Sequence, residues 1–182
     1  MIDQELDLTN KNIFIMNTLS FDKLLLKTAF CCMASDGHMD DREIVQIQQL
    51  CKELPLFEGI NLHQEINELV EAINDNSTDF IKHYFNTLSV TSLSESEELT
   101  LIDFAIKVIN ADNKVEYSEI KFFKNIRCRL NVSDDKILEQ HPGIEIFLDE
   151  DLKTDSYLDK LMINYLETVS LPKFDLIKKL EL

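Results

Sequence analysis

Two groups of acidic residues recur at the same spacing, and their carboxylates are the side chains of this chain best suited to chemistry. In each group an Asp is followed by an acidic residue four positions on and by a Glu three positions further. The six residues are Asp36, Asp40, Glu43, Asp112, Glu116 and Glu119. Hard cations such as Ca²⁺ and Mg²⁺ bind several carboxylate oxygens that converge on one point. The spacing therefore makes these six residues candidate ligands of a divalent cation, Ca²⁺ or Mg²⁺.

Helix capping is the competing interpretation of the same residues. Asp40-x-x-Glu43 has the spacing of a capping box, and acidic residues in a first turn stabilise a helix with or without a cation. Glu116 is a poor N-cap residue, so capping explains the second group less well than the first. Convergence of the two loops would favour a cation, whereas loops that point apart would favour capping.

Other kinds of site lack the residues they need. The segment from Asp36 is not an EF-hand loop, because its positions 3 and 12 are His38 and Ile47 rather than oxygen ligands. The histidines have no zinc-binding spacing, and the 3 Gly form no phosphate-binding loop. No nucleophile motif is present. We therefore expect no catalytic residues, no enzymatic activity and no cofactor besides the cation.

The elements that carry the acidic groups are predicted to be helices. Apolar residues recur at intervals of three and four, Pro55 ends one such run, and Ser94 with Glu97 forms a capping box ahead of another. The predicted helices span about 21–33, 44–54, 61–74, 78–88, 94–109 and 120–130. With only 3 Gly and 3 Pro in the chain, we predict an all-α bundle of about seven or more helices.

An internal repeat relates the two acidic groups. Since 112 minus 36 is 76, a shift of 76 positions superposes the first unit on the second. The identical pairs are Leu25 and Leu101, Ala29 and Ala105, Asp36 and Asp112, Glu43 and Glu119, Ile44 and Ile120, and Leu54 and Leu130. We predict a two-fold-like duplication of units at about 24–54 and 100–130. Its predicted core comprises Leu25, Ala29, Ile44, Ile47, Leu101, Ala105, Ile120 and Phe123.

The repeat lies within one predicted helical domain, residues 1–140, and residues 141–182 form a helical extension packed on it. In the extension we expect a turn at 141–143, a short extended piece at 144–148, and helices at 157–166 and 174–180.

Composition restricts the partners and the compartment. With 34 Asp and Glu against 18 Lys and Arg, the formal charge is -16, which repels nucleic acid and anionic membranes but attracts cations and basic protein surfaces. The same charge also simply keeps a protein soluble. Three of the 4 Cys occupy apolar helical positions, as thiols do in a reducing compartment. The acidic start and the lack of a long apolar run predict a cytoplasmic protein without membrane insertion.

Segments 29–43 and 105–119 resemble the A-x(6)-D-G-x-[hydrophobic]-x(3)-E signature of the TerB-like tellurite-resistance family. The resemblance covers about Leu24 to Leu130 and departs from the signature at Asn113, where Gly often stands. It implies an all-helical duplicated fold, a stress-response role, a divalent cation held by the six acidic residues, and a surface for protein assembly. The alternative is a metal-free protein-protein interaction or scaffold domain whose carboxylates only cap helices.

Overall fold

The computed structural model describes residues 19–37, 39, 41–111, 114–149 and 173–176. These residues form helices and no strand, which confirms the all-α prediction. The α-helices are α1 (Phe21–Met33), α2 (Asp41–Lys52), α3 (Leu62–Asp75), α4 (Ser77–Val90), α5 (Glu95–Ile109), α6 (Tyr117–Arg127), α7 (Asp134–Gln140) and α8 (Glu145–Leu148). Short 3₁₀ turns follow α1 at Ala34–Asp36 and α2 at Pro55–Phe57.

Local signals set the helix ends. Ser94 Oγ accepts a hydrogen bond from the Glu97 N–H at 3.3 Å, and Glu97 Oε2 accepts one from the Ser94 N–H at 2.8 Å. The predicted capping box of α5 is thus confirmed. α2 ends at Lys52, slightly before the predicted Leu54. Leu54 is extended, as expected for a residue that precedes a proline.

The core lies around α1 and α5, which pack against each other more extensively than any other described pair of helices. All eight residues of the predicted core are buried, at 0 to 8% exposure. Two hydroxyl groups inside the core are satisfied: Tyr84 Oη donates to Thr28 Oγ1 at 3.0 Å, and Thr28 Oγ1 donates to the Leu24 carbonyl at 2.8 Å. The helical spacing of apolar residues in the sequence was therefore sufficient to locate the core.

The helix boundaries follow the predicted repeat. α1 ends at Met33 and α5 at Ile109, while α2 begins at Asp41 and α6 at Tyr117, and 109 minus 33 equals 117 minus 41. α1 also packs on α6, and α2 packs on α5. This reciprocal exchange of contacts is the arrangement that a two-fold-like pairing of the units produces.

The first helix of each unit, α1 or α5, also ends in the same way. The N–H of Ala34 bonds to the carbonyls of Phe30 and Cys32, and the N–H of Asn110 bonds to those of Ile106 and Val108. Each residue of the second set lies 76 positions after its counterpart. Both capping residues have backbone angles close to those of a helical turn.

The prediction for the C-terminal part is partly wrong. Residues 141–143 form a turn, with Gly143 at a φ of 96°, but the predicted extended piece at 144–148 is helix α8. Phe147 of α8 packs edge-on against Phe123 of α6, with ring centroids 5.4 Å apart. Residues 173–176 have no regular secondary structure, although a helix was predicted from 174. The predicted helix at 157–166 and residues 177–180 lie outside the described residues.

None of the described helices combines the length and the apolar composition needed to cross a membrane.

Candidate site at the paired acidic loops

The first loop begins by folding back on the end of α1. Ser35 Oγ donates to the Cys32 carbonyl at 2.7 Å, and the Gly37 N–H donates to the Ala34 carbonyl at 3.1 Å. Gly37 has a φ of 83°, a conformation that other residues adopt at a cost. Gly37 thus provides a left-handed residue directly after the Ala34–Asp36 turn.

The start of the first loop packs against the second repeat unit. The Ala34–Asp36 turn packs against α6. Burial raises the pKa of the Cys32 thiol, and the charges of Cys31 and Glu119 raise it further. Glu119, in the first turn of α6, therefore lies near the C-terminal end of α1. The N-terminal end of α6 is consequently a neighbour of the first loop.

The two equivalent glutamates are both buried. Glu43 is 8% exposed and Glu119 is 4% exposed. Glu119 Oε2 accepts a hydrogen bond from the Glu116 N–H at 2.6 Å, which satisfies a backbone donor at the start of α6. Glu116 Oε1 forms an ion pair with Lys114 Nζ.

Capping therefore serves the second acidic group, contrary to the expectation drawn from Glu116 as a weak N-cap. The reason is that a capping box has two halves. The glutamate three residues into the helix can satisfy the backbone of the N-cap residue whatever side chain that residue carries.

The structure describes only part of the predicted ligand set. Residues Asp40 and Asp112 and the side chain of Asp36 lie outside the described residues. Glu43, Glu116 and Glu119 are described, and no group of three or more His, Cys, Asp or Glu in the described part of the chain is placed to hold a metal.

A buried glutamate that the sequence analysis did not single out is Glu98 in α5, which is 3% exposed. Its Oε2 accepts from the backbone N–H groups of Asn131 and Val132 at 2.8 and 2.6 Å, and its Oε1 accepts from Asn131 Nδ2 at 3.0 Å. Glu98 thereby fixes the segment between α6 and α7. In the sequence it is one more acidic residue in a helical first turn, so no signal distinguished it.

The cysteines behave as the sequence indicated. Cys31, Cys32 and Cys51 are buried, and burial raises the pKa of Cys31 and of Cys51 to about 12. Protonated thiols are poor nucleophiles and poor metal ligands. These side chains therefore act as small apolar groups.

A separate pocket of about 670 Å³ lies between the end of α2 and the start of α3. Cys51, Leu54, Phe57, Ile60, Leu62 and His63 are among its lining residues. His63 Nδ1 is buried without a hydrogen-bond partner among the described residues. Because the 12 residues of α2 span about 18 Å, this pocket is distant from the acidic loop that precedes α2.

No protein-family model, curated protein or solved structure matches this chain. Its resemblance to the TerB-like family therefore rests on the two paired motifs alone.

Proposed function

We propose that this chain is a cytoplasmic, non-enzymatic TerB-like module of the tellurite or general stress response, and that it binds Ca²⁺ or Mg²⁺ between its acidic loops. The observation that carries the proposal is the position of the Ala34–Asp36 turn against α6, beside the first turn that holds Glu119. The turn that contains Asp36 thereby lies beside the helix start that carries Glu119.

Electrostatics supports a cation at this end. Carboxylates gathered in a partly buried region repel one another, and a divalent cation removes that repulsion while it supplies favourable contacts. The formal charge of -16 adds a general attraction for cations. The free, mostly buried thiols support a reducing compartment.

A metal-free interaction or scaffold domain is the second candidate, and a different observation favours it. The hydrogen bond from the Glu116 N–H to Glu119 stabilises the start of α6 without any ion. In that case the acidic surface serves to attract a basic protein partner.

Calorimetric titration of chelator-treated protein with CaCl₂ and with MgCl₂ tests the first candidate. We expect saturable binding by the wild type, and binding weakened at least about ten-fold in the Asp36→Asn, Asp112→Asn double variant. The matched control is the Asp75→Asn, Asp135→Asn double variant, which removes two exposed carboxylates outside the loops and should bind like the wild type. A wild type that binds neither ion leaves the interaction domain as the function.

A further inference from the structure

A short C-terminal segment, residues 173–176, is held at the corner between α3 and α4 by one side chain. Asn74, in the last turn of α3, donates from Nδ2 to the Phe174 carbonyl at 2.8 Å and accepts from the Phe174 N–H on Oδ1 at 2.8 Å. One amide thus pairs with both backbone groups of a residue 100 positions away. This pairing reproduces the hydrogen bonds that a neighbouring β-strand would make, and it requires an extended segment rather than a particular side chain.

Two side chains of the segment add selectivity. Phe174 is 9% exposed and belongs to the main hydrophobic cluster. Lys173 Nζ donates to the backbone carbonyl of Asn74. That carbonyl is among the last four of α3, which lack helical partners, and a cation is favoured at this end of a helix.

The other two described residues of this segment are more exposed than Phe174. Asp175 is exposed, and Leu176 is 53% exposed. The corner therefore recognises an extended backbone, one basic residue and the aromatic residue that follows it. Such a short determinant is typical of peptide recognition, in which main-chain hydrogen bonds supply affinity and a side-chain pocket supplies specificity.

We propose that the Asn74 corner is a docking site for an extended Lys-Phe segment of a protein partner, and that the chain's own residues 173–176 occupy it as an internal competitor. The formal charge of -16 favours a basic segment over an acidic one. A tethered segment acts at an effective concentration of the order of millimolar. A segment of another protein therefore binds well only after residues 173–176 have dissociated from Asn74. The site lies at the C-terminal end of α3, and its test does not depend on the acidic loops.

The test measures the fluorescence anisotropy of a labelled peptide with the sequence of residues 171–176, added to the full-length chain. We expect weak binding to the wild type and binding at least about ten-fold tighter to the Phe174→Ala chain, because that substitution weakens the internal competitor. A peptide in which the Phe is replaced by Ala should not bind.

Asparagine substitutions in the Phe174→Ala chain identify the site. Adding Asn74→Ala should abolish the gain in peptide binding. Adding Asn86→Ala, an exposed asparagine on α4, should leave it intact. Cooperative melting of each variant verifies the fold. The proposal is overturned if the folded Phe174→Ala chain binds no tighter than the wild type, or if Asn74→Ala and Asn86→Ala have the same effect.

A second test measures hydrogen exchange in a chain that carries only the Asn74→Ala substitution. Asn74→Ala should speed the hydrogen exchange of the Phe174 amide, because its acceptor is removed. An unchanged exchange rate would contradict the hydrogen bond from the Phe174 N–H to Asn74 Oδ1.

Discussion

Individual glutamates have different roles according to the groups that surround them. Glu98 and Glu119 are both almost fully buried, and a buried charge without partners costs several kcal/mol. Glu98 accepts three hydrogen bonds from one segment, whereas Glu119 accepts from the first residue before its own helix. Glu98 therefore joins distant parts of the chain, and Glu119 stabilises a local helix start next to the other loop.

Replacing Glu98 with Ala should lower the free energy of unfolding by about 2–4 kcal/mol, because the backbone donors of Asn131 and Val132 lose their acceptor. The matched control is Glu139→Ala, an exposed glutamate on α7, which should change stability by less than about 0.5 kcal/mol. Urea unfolding followed by circular dichroism measures both changes. Equal losses in the two variants would show that the Glu98 hydrogen bonds contribute nothing specific.

The four free thiols should differ in reactivity. Cys128 is only half-buried, whereas Cys31, Cys32 and Cys51 are buried. Their raised pKa values, about 12 for Cys31 and for Cys51, leave little thiolate at pH 8. We expect a thiol-reactive disulfide reagent to modify Cys128 first and the other three only as the protein opens.

In denaturant all four thiols should react together. The Cys128→Ser variant should lose the early phase and keep the slow one. An early phase that persists in this variant would mean that one of the buried thiols is accessible.

At the scale of elements, the sequence predicted the long helices well and the short pieces poorly. α1 and α5 have 13 and 15 residues, enough for several turns of apolar period, and α5 also has its capping box. α8 has only four residues, and the alternation Ile144-Glu145-Ile146 is typical of a strand. Its helical state is stabilised by the contact of Phe147 with Phe123, which no local pattern contains.

The candidate site could be predicted from a pattern in the sequence, whereas the contact of residues 173–176 with Asn74 could not. In the sequence the acidic residues occupy equivalent positions of the repeat, and each group follows a helix whose capping N–H makes equivalent hydrogen bonds. The docking of Phe174 on Asn74 joins positions 100 residues apart. Neither residue carries a pattern that indicates the other, so periodicity and capping could not predict this contact.

The contact between α1 and α5 should dominate stability. Leu101 is a fully buried residue of α5. Leu101→Ala should lower the free energy of unfolding by about 2–5 kcal/mol, because it removes buried methyl groups and leaves a cavity. Val45→Ala on the exposed side of α2, where the valine is 41% exposed, should cost less than about 0.5 kcal/mol. A loss of stability at Leu101 as small as that at Val45 would mean that a different face of α5 is buried in the core.

At the scale of the whole molecule, the formal charge of -16 affects stability as well as binding. Net charge of one sign destabilises a compact state through self-repulsion. Neutralising two exposed carboxylates should therefore stabilise the protein slightly by reducing this repulsion, and a specific effect of the acidic loops must exceed this general one. The Asp75→Asn, Asp135→Asn variant has the same net charge as the Asp36→Asn, Asp112→Asn variant, so it provides the reference.

The last prediction compares these variants in the absence of metal. If the loops gather carboxylates for a cation, Asp36→Asn with Asp112→Asn should raise the melting temperature in chelator above that of the Asp75→Asn, Asp135→Asn control, because the loop carboxylates repel one another more strongly. The same double variant should lose any rise in melting temperature that millimolar Ca²⁺ or Mg²⁺ gives the wild type. If the acidic groups only cap helices, the two double variants should melt together. Asp40→Ala alone should then cost about 0.5–2 kcal/mol with or without an ion, because it removes an N-cap.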